Sequence, residues 1–395
     1  MRSIFSCAFM IALGACTGDR AAEPSVTTTD SLDITIVQSS RPALEGTERF
    51  RVDDEPALRI GAVDGAEPVV FRQIRGLLRL SDGRIVVADG GSREVRYFSA
   101  TGSHLMTAGG SGEGPGEFRS LSGLVRLPAD SVWAYDGLAL RFTVFDPEGR
   151  LAGTGSTGTA PTVFGRLADG SPVFSVYARA ADAAASDGYV RPQMAVMRLV
   201  PGRQEPARIA EIAGTEEFRV TDAGRVFTFA PPFARRQSVA VHGDHLYTIS
   251  ANGQEIAVFG SSGELERLVR TTSEPRRITT ADMTAYRNAV RAGYAEPSAR
   301  SALHERVLSE AEYPSVMPLY RDLRLDADGY IWAELYRLPG ETSPVWRVFN
   351  ERGEWMRDVP TPSGVEIFEI SADYLLGVWT DELGVEYVHL YDIAR

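Results

Sequence analysis

The chain has 395 residues and a formal net charge of −12, which argues against a nucleic-acid partner and against electrostatic attachment to an anionic membrane. It contains no lysine, so all 41 of its strongly basic side chains are arginines. The absence of lysine excludes Schiff-base chemistry and the phosphate-binding lysines of P-loop and kinase sites.

The first sixteen residues have the pattern of an export signal. Arg2 is charged, residues 4–13 are an apolar stretch too short to span a bilayer, and Leu13-Gly14-Ala15-Cys16 follows directly. These last four residues resemble the lipobox of bacterial lipoproteins, in which the cysteine is diacylated. The alternative is an ordinary secretory signal in which Cys16 is incidental.

The lipobox resemblance implies a signal peptide over residues 1–15, lipidation of Cys16 and contact with the membrane through that lipid anchor. It places the protein in the cell envelope, on the outer membrane, at its periplasmic or its surface face. Residues 16–46 are rich in Thr, Ser, Asp and Ala, and this composition predicts a flexible tether.

A repeat follows along the rest of the chain. An aromatic residue is followed four positions later by glycine at four places, namely Phe98-Gly102, Phe145-Gly149, Phe259-Gly263 and Phe349-Gly353. Weaker copies at Leu199 and Tyr391 bring the number of marks to six. The six marks follow one another at intervals of 47, 54, 60, 90 and 42 residues. Intervals of about 45 residues are typical of propeller blades. Within the repeat units, a turn that contains Gly or Asp precedes a short run of β-forming residues. The glycine four positions after the aromatic residue suits a hairpin turn with a bulge.

These patterns predict an all-β fold, a six-bladed β-propeller of four-stranded antiparallel blades over residues 47–395. We assign the blades to residues 69–113, 118–157, 161–213, 233–272, 317–360 and 364–395. The last blade is short, and residues 57–61 are predicted to complete it and so to close the ring. The alternative is a stacked, unclosed β-solenoid.

Three segments carry a family resemblance. They are residues 80–89 (LSDGRIVVAD), 110–118 (GSGEGPGEF) and 144–151 (VFDPEGRL). They are similar to NHL-type repeats, and the chain resembles six-bladed β-propeller lipoproteins of environmental bacteria. The resemblance implies the fold and export. It does not imply an activity, because propellers serve many unrelated functions.

A small helical insertion is predicted between blades four and five, over about residues 279–312. Thr279 and Asp282 form a capping-box pattern, and Gly293 ends the first helix. Leu303, Val307, Leu308 and Ala311 then form an apolar stripe on a second helix. The insertion is either a lid over one mouth of the propeller or a plug that covers a blade edge. Residues 178–187 are predicted to be a disordered loop.

An aromatic residue precedes an arginine where several blades begin, and this pattern defines the predicted ligand site. The predicted ligand-binding residues are Arg72, Arg119, Arg235 and Arg321, together with Phe118 and Tyr320. If the guanidinium groups converge on one mouth, they suit a carboxylate or phosphate ligand. The alternative is that they pair with acidic neighbours.

The sequence predicts neither a metal site nor a cofactor. The five histidines are scattered, and Asp89 and Asp136 recur at strand ends, where they are expected to cap turns. We therefore expect a monomeric, non-enzymatic binding or scaffold protein whose partner is an anionic small molecule or an envelope protein. The alternative is a metal-dependent hydrolase or lyase, similar to lactonases, acting at the propeller mouth.

Overall fold

A computed structural model describes residues 25–44, 50–65, 67–156, 162–177, 187–200, 203, 205–294, 296–338 and 341–395. About half of these residues lie in β-strands, and two α-helices are present among them. Four strands precede the first complete sheet, namely β1 (Val26–Ser31), β2 (Ile34–Ser39), β3 (Arg51–Val52) and β4 (Leu58–Ile60). A short 3₁₀ turn, Glu67–Val69, follows them.

The first two sheets are antiparallel meanders of four strands each. The first sheet contains β5 (Ile74–Arg79), β6 (Ile85–Asp89), β7 (Glu94–Phe98) and β8 (His104–Gly109). The second contains β9 (Leu121–Arg126), β10 (Val132–Asp136), β11 (Arg141–Phe145) and β12 (Leu151–Ser156). A second 3₁₀ turn, Pro128–Asp130, joins β9 to β10.

The third sheet is followed by a small additional sheet that the repeat pattern does not predict. The third sheet contains β13 (Thr162–Arg166), β14 (Pro172–Tyr177), β16 (Gln193–Arg198) and β17 (Ala207–Ala213). The small sheet contains β15 (Gly188–Val190), β18 (Glu217–Asp222) and β19 (Arg225–Phe229). Residues 178–186 of the predicted loop lie outside the described residues.

The fourth sheet shows that part of the predicted tether is β-structure. Its meander contains β20 (Val239–His242), β21 (His245–Ile249), β22 (Ile256–Gly260) and β23 (Leu265–Thr271). Strand β2 pairs in parallel with β23, and β1 pairs with β2. Because Val37 and Ser39 are buried there, residues 26–39 belong to the folded body and are not a flexible linker.

The fifth and sixth sheets complete the chain. The fifth contains β24 (Tyr320–Leu325), β25 (Ile331–Leu335), β26 (Val345–Phe349) and β27 (Trp355–Pro360). The sixth contains β28 (Val365–Ile370), β29 (Tyr374–Thr380) and β30 (Glu386–Ala394). Both β3 and β4 pair antiparallel with β30, which confirms residues 57–61 as the closing strand.

The turn chemistry follows the repeat glycines. Gly102, Gly149, Gly263 and Gly353 all have positive φ, between 69° and 93°. In each of the four units the strand register shifts at the repeat phenylalanine, so the predicted hairpin turn with a bulge is confirmed.

The sheets are arranged radially. Their inner strands β5, β9, β13, β20, β24 and β28 contact one another in this order, and β28 returns to contact β5. Close approach requires a glycine in β5, because a Cβ at Gly76 would lie 2.7 Å from the backbone nitrogen of Leu124. Apolar clusters fill the spaces between the faces of neighbouring sheets. The molecule is an all-β propeller.

The insertion contains α1 (Thr280–Ala292) and α2 (Ala299–Glu310). The Thr279–Asp282 capping box is present, as predicted. Leu303 and Val307 of α2, and Ala311 directly after it, pack on the small sheet, against Phe218 and Phe229. Within the described part of the chain, neither helix is long and apolar enough to cross a membrane.

Candidate functional site

The inner strands give the central channel two chemically different mouths. We call the mouth at which these strands begin the N-terminal mouth and the one at which they end the C-terminal mouth. A channel of about 830 Å³ runs between residues of all six inner strands. The predicted ligand-binding residues precede an inner strand or, in the case of Tyr320 and Arg321, begin one, and therefore lie on the side of the N-terminal mouth.

The aromatic residues of the predicted site belong to the core. Phe118 and Tyr320 are fully buried, and Phe118 is 6.3 Å from Phe145 between ring centroids. The ring centroids of Tyr320 and Phe349 are likewise 6.4 Å apart. Each ring thus packs on the repeat phenylalanine of its own sheet. Because both rings are buried, Phe118 and Tyr320 are core residues and not the ligand contacts that the sequence predicts. The aromatic residue of the aromatic–arginine pattern serves core packing.

Three of the four predicted arginines pair with carboxylates. Arg119 lies 3.7 Å from Glu113, Arg321 lies 3.5 Å from Glu334, and Arg235 pairs with the buried Glu216. The Arg72 side chain is exposed and forms no ion pair with a described residue. Binding of a ligand by these four side chains stays a prediction, but most of their charge is already compensated.

Asp89 and Asp136 cap turns, as predicted. The Asp89 carboxylate accepts hydrogen bonds from the backbone N–H groups of Gln73 and Gly91 at 3.1 and 3.0 Å. Asp136 accepts in the same way from Arg119 at 2.6 Å and from Ala139 at 2.8 Å. Each carboxylate therefore ties the start of an inner strand to the turn after the second strand of the same sheet.

The C-terminal mouth carries a second set of arginines that the repeat analysis missed. Four inner strands place an arginine at or next to their last residue, namely Arg79, Arg126, Arg166 and Arg324. Each arginine is followed by leucine and then by a hairpin turn. His242 and Glu369 take the corresponding places in β20 and β28. The recurring Arg-Leu pair before a turn is the sequence signal that identifies this set.

Arg126 and Arg166 are positioned by the backbone of the preceding sheet. The Arg126 guanidinium donates to the carbonyl oxygen of Arg79 at 2.9 Å. The Arg166 guanidinium donates to the carbonyl oxygen of Arg126 at 2.8 Å. All three side chains are half-buried. The arginines of three consecutive inner strands are therefore linked side by side around the channel.

Within the described residues these three guanidinium groups form no direct ion pair, and Glu369 is the carboxyl group that interacts electrostatically with Arg79 and Arg126. Burial, and secondly the positive charge of Arg126, lowers the pKa of the Arg166 guanidinium. Half-buried cations that repel one another are unfavourable unless an anion joins them. Arg324 differs, because Asp322 lies 2.9 Å from its guanidinium.

Glu369 is a carboxyl group at this mouth whose hydrogen bonds and burial affect its protonation. Its Oε1 accepts a hydrogen bond from the Tyr374 hydroxyl at 2.6 Å, and its Oε2 accepts from the Arg79 backbone N–H at 3.0 Å. Burial raises the pKa of Glu369, although those hydrogen bonds and the charges of Arg126 and Arg79 oppose the shift. The group holds its proton to a higher pH than an ordinary glutamic acid does.

The surroundings of Glu369 form a recess that shares Arg126, Glu369 and Ile370 with the lining of the channel. This recess has a volume of about 460 Å³ and is lined by Arg79, Arg126, Glu369 and Tyr374, among others. The Arg79 guanidinium lies 4.5 Å from the centre of the Tyr374 ring, which holds the ring against the cation. The recess is open to solvent and mixed in charge, because Asp326 and Asp373 also line it beside the two arginines and Glu369.

Metal ligands do not cluster in the part of the chain that the structure describes. No three His, Cys, Asp or Glu side chains of those residues come together in an arrangement that could hold a metal ion. The two histidines that are close in sequence, His242 and His245, flank a hairpin turn, and His245 lies 3.0 Å from Glu266.

Comparison with known proteins gives similarities of structure only. No protein-family model matches the chain, and no curated protein sequence matches it. A protein of Bacteroides fragilis described as exported is 11% identical, with a TM-score of 0.49 over 91% of this chain and 100% of its own. A DUF4221-family protein of Bacteroides vulgatus is 10% identical, with a TM-score of 0.49 over 88% of this chain and 99% of its own.

A gluconolactonase of Xanthomonas campestris is 14% identical, with a TM-score of 0.44 over 89% of this chain and 99% of its own. These similar structures are of propeller type. At such identities they carry no argument about what this chain binds or converts.

Proposed function

We propose that the chain is an exported, lipid-anchored, six-bladed β-propeller that binds an anionic small molecule at its C-terminal mouth without converting it chemically. The observation that carries this proposal is the row of three half-buried guanidinium groups, those of Arg79, Arg126 and Arg166, without ion-pair partners among the described residues.

The count of six blades is supported by the contacts of the inner strands. Six of them contact one another in a closed cycle, and each begins a sheet of at least four strands once β4 joins the sixth. Export and anchoring are supported by the lipobox-like residues that end at Cys16, which lies outside the described residues. Anchoring would present the binding surface in the cell envelope.

The chemistry of the mouth favours a ligand with more than one negative charge. A guanidinium group has five N–H donors, and the backbone contacts of Arg126 and Arg166 use one from each. The remaining donors suit carboxylate or phosphate oxygens in bidentate geometry. Three adjacent cations match a di- or tricarboxylate or a phosphate ester better than a single carboxylate.

The test is a calorimetric titration of the full chain with citrate. We expect stoichiometric binding to the wild-type protein and a loss of at least roughly tenfold in affinity for the Arg126→Gln/Arg166→Gln variant, because each charged hydrogen bond contributes about 1.5–3 kcal/mol. Turnover of the ligand, or dependence of binding on an added metal ion, would instead favour the metal-dependent hydrolase or lyase.

A further inference from the structure

A separate pocket lies beneath α1, on the side of the N-terminal mouth. Its volume is about 280 Å³, at the lower limit of ligand pockets. Three arginines line it, namely Arg236, Arg321 and Arg337, together with the rings of Tyr286 and Tyr336. Only Arg321 of these belongs to the predicted ligand-binding set.

Arg236 is the cation whose charge is left uncompensated in this pocket. Its neighbour Arg235 pairs with the buried Glu216. Arg236 itself is exposed and has no ion pair with any described residue. Arg235, which the sequence predicts as a ligand contact, and Arg236, which lines the pocket, are therefore neighbours in sequence, but their side chains have different surroundings.

The other two arginines share one carboxylate. Oε1 of the buried Glu334 lies 3.0 Å from Nε of Arg337 and 3.5 Å from Nη1 of Arg321. Glu341 also lines the pocket, and its Oε2 accepts a hydrogen bond from the Leu338 backbone N–H at 2.8 Å. Three guanidinium groups thus face two carboxylates, which leaves one positive charge for a ligand.

Two tyrosine hydroxyls complete the polar part of the lining. Neither the Tyr286 nor the Tyr336 hydroxyl has a hydrogen-bond partner within the described ranges. Burial raises the pKa of Tyr336 to about 12, so this hydroxyl remains a donor at neutral pH. The apolar part is formed by Pro231, Ala234 and Leu338.

A buried aromatic residue holds α1 over the pocket. The Phe233 ring lies 5.1 Å from the Tyr286 ring of α1 and 6.3 Å from the Tyr336 ring. Phe233 is fully buried and has a φ of 55°, a backbone conformation that costs free energy for a large side chain. Helix α1 is also joined to α2 by the Arg291–Glu305 pair at 2.7 Å.

We propose that this pocket binds a small carboxylate with an apolar body, such as an aryl carboxylate. The carboxylate would accept hydrogen bonds from Arg236 and the two tyrosine hydroxyls, while the apolar body would lie against Pro231, Ala234 and Leu338. One uncompensated positive charge matches one carboxylate, and the mixed lining matches a molecule with one polar end. The site is independent of the C-terminal mouth.

The experiment uses benzoate as the probe and the full chain as the receptor, with affinity measured by calorimetry. We expect 1:1 binding and a loss of at least roughly tenfold in affinity for Arg236→Gln, which removes a charged donor at an exposed position and so leaves folding intact. The matched control is Arg352→Gln, an exposed arginine in the turn between β26 and β27 that forms no described ion pair, and its affinity should be unchanged.

Three outcomes would overturn the proposal. They are equal benzoate affinity for Arg236→Gln and the wild type, equal binding of neutral benzamide, and tighter binding of inorganic phosphate than of benzoate at this site. Citrate binding distinguishes the two sites, because Arg236→Gln should leave it unchanged whereas Arg126→Gln/Arg166→Gln should reduce it. If benzoate does not bind beneath α1, the citrate result at the C-terminal mouth still stands, and the reverse is also true.

Discussion

The carboxyl group of Glu369 contributes a titratable charge to the C-terminal mouth. When it is protonated, Arg79 and Arg126 face a neutral group, and when it is ionised it competes with an anionic ligand for them. Because burial raises the pKa of Glu369, this change falls at a higher pH than for an exposed glutamic acid. The group is therefore positioned to make anion affinity depend on pH.

We expect citrate affinity to fall as the pH rises through the raised pKa of Glu369. The Glu369→Gln variant should bind more tightly than the wild type above that pKa, and its affinity should change less with pH. Calorimetric titrations at a series of pH values below and above that pKa measure both effects. Parallel pH profiles for the two proteins would show that Glu369 does not control the site.

His389 predicts a second pH effect, on stability. The ring is buried, stacks on Trp379 at 5.5 Å, and Nδ1 lies 2.8 Å from the Tyr391 hydroxyl. Burial, and secondly the charge of Arg59, lowers the pKa of His389 from 6.5 to about 4. The unfolded chain therefore binds the proton more readily than the folded one, and stability should fall as the pH drops from 6.5 towards about 4.

Urea unfolding at several pH values in this window tests the effect. The His389→Phe variant keeps a ring against Trp379 and removes the titrating group, so its free energy of unfolding should depend less on pH. An unchanged pH dependence in this variant would assign the acid sensitivity to other groups.

At the scale of single residues, the sequence predicts structural roles better than binding roles. The turn-capping role of Asp89 and Asp136 is predictable because an aspartate at a strand end has few alternatives. Burial of Phe118 and the difference between Arg235 and Arg236 depend on side-chain direction at a loop. The repeat period places such residues at equivalent positions but does not determine that direction.

The N-terminal hairpin shows why one structural element escaped prediction. Residues 26–39 have the Thr, Ser and Asp content of a linker, yet Val37 and Ser39 are buried. Strand β2 pairs with residues 267–271, far away in the sequence, and no local pattern identifies that partner. The closing strand β4 was predictable because the short last repeat lacks an outer strand.

The two helices of the insertion make different contacts. The apolar stripe of α2 is covered by the small sheet, so this helix is a structural element. Helix α1 contributes Tyr286 to the pocket wall, and whether it acts as a lid over the propeller mouth stays a prediction. The small sheet follows from alternating apolar residues around the turn at Ala223-Gly224, a local signal that is not part of the regular repeat.

Deletions separate the contributions of the N-terminal strands. Removing residues 50–62 deletes β3 and β4, exposes the edge of β30 and opens the ring, so we expect a large fall in melting temperature. Removing residues 26–39 deletes only the two outer strands of the fourth sheet and should cause a smaller fall. Thermal unfolding followed by circular dichroism compares them, and equal melting temperatures would contradict the ring-closure scheme.

At the scale of the whole molecule, anchoring should depend on one residue. If Cys16 is diacylated, Cys16→Ser should give a protein that is unprocessed or released from the membrane, because the acidic surface provides no alternative attachment. Cell fractionation with palmitate labelling measures this. A wild-type protein that takes up no label would exclude the lipoprotein assignment.

The central claim is that the propeller binds anions at the C-terminal mouth, and a comparison of two double variants tests it most directly. Citrate affinity is measured for the wild type, for Arg126→Gln/Arg166→Gln at the C-terminal mouth, and for Arg72→Gln/Arg119→Gln at the exposed positions before β5 and β9. The account predicts a loss of at least roughly tenfold for the first variant and no change for the second. If the first variant kept the citrate affinity of the wild type and the second lost it, the account would be contradicted and the binding site would lie at the N-terminal mouth.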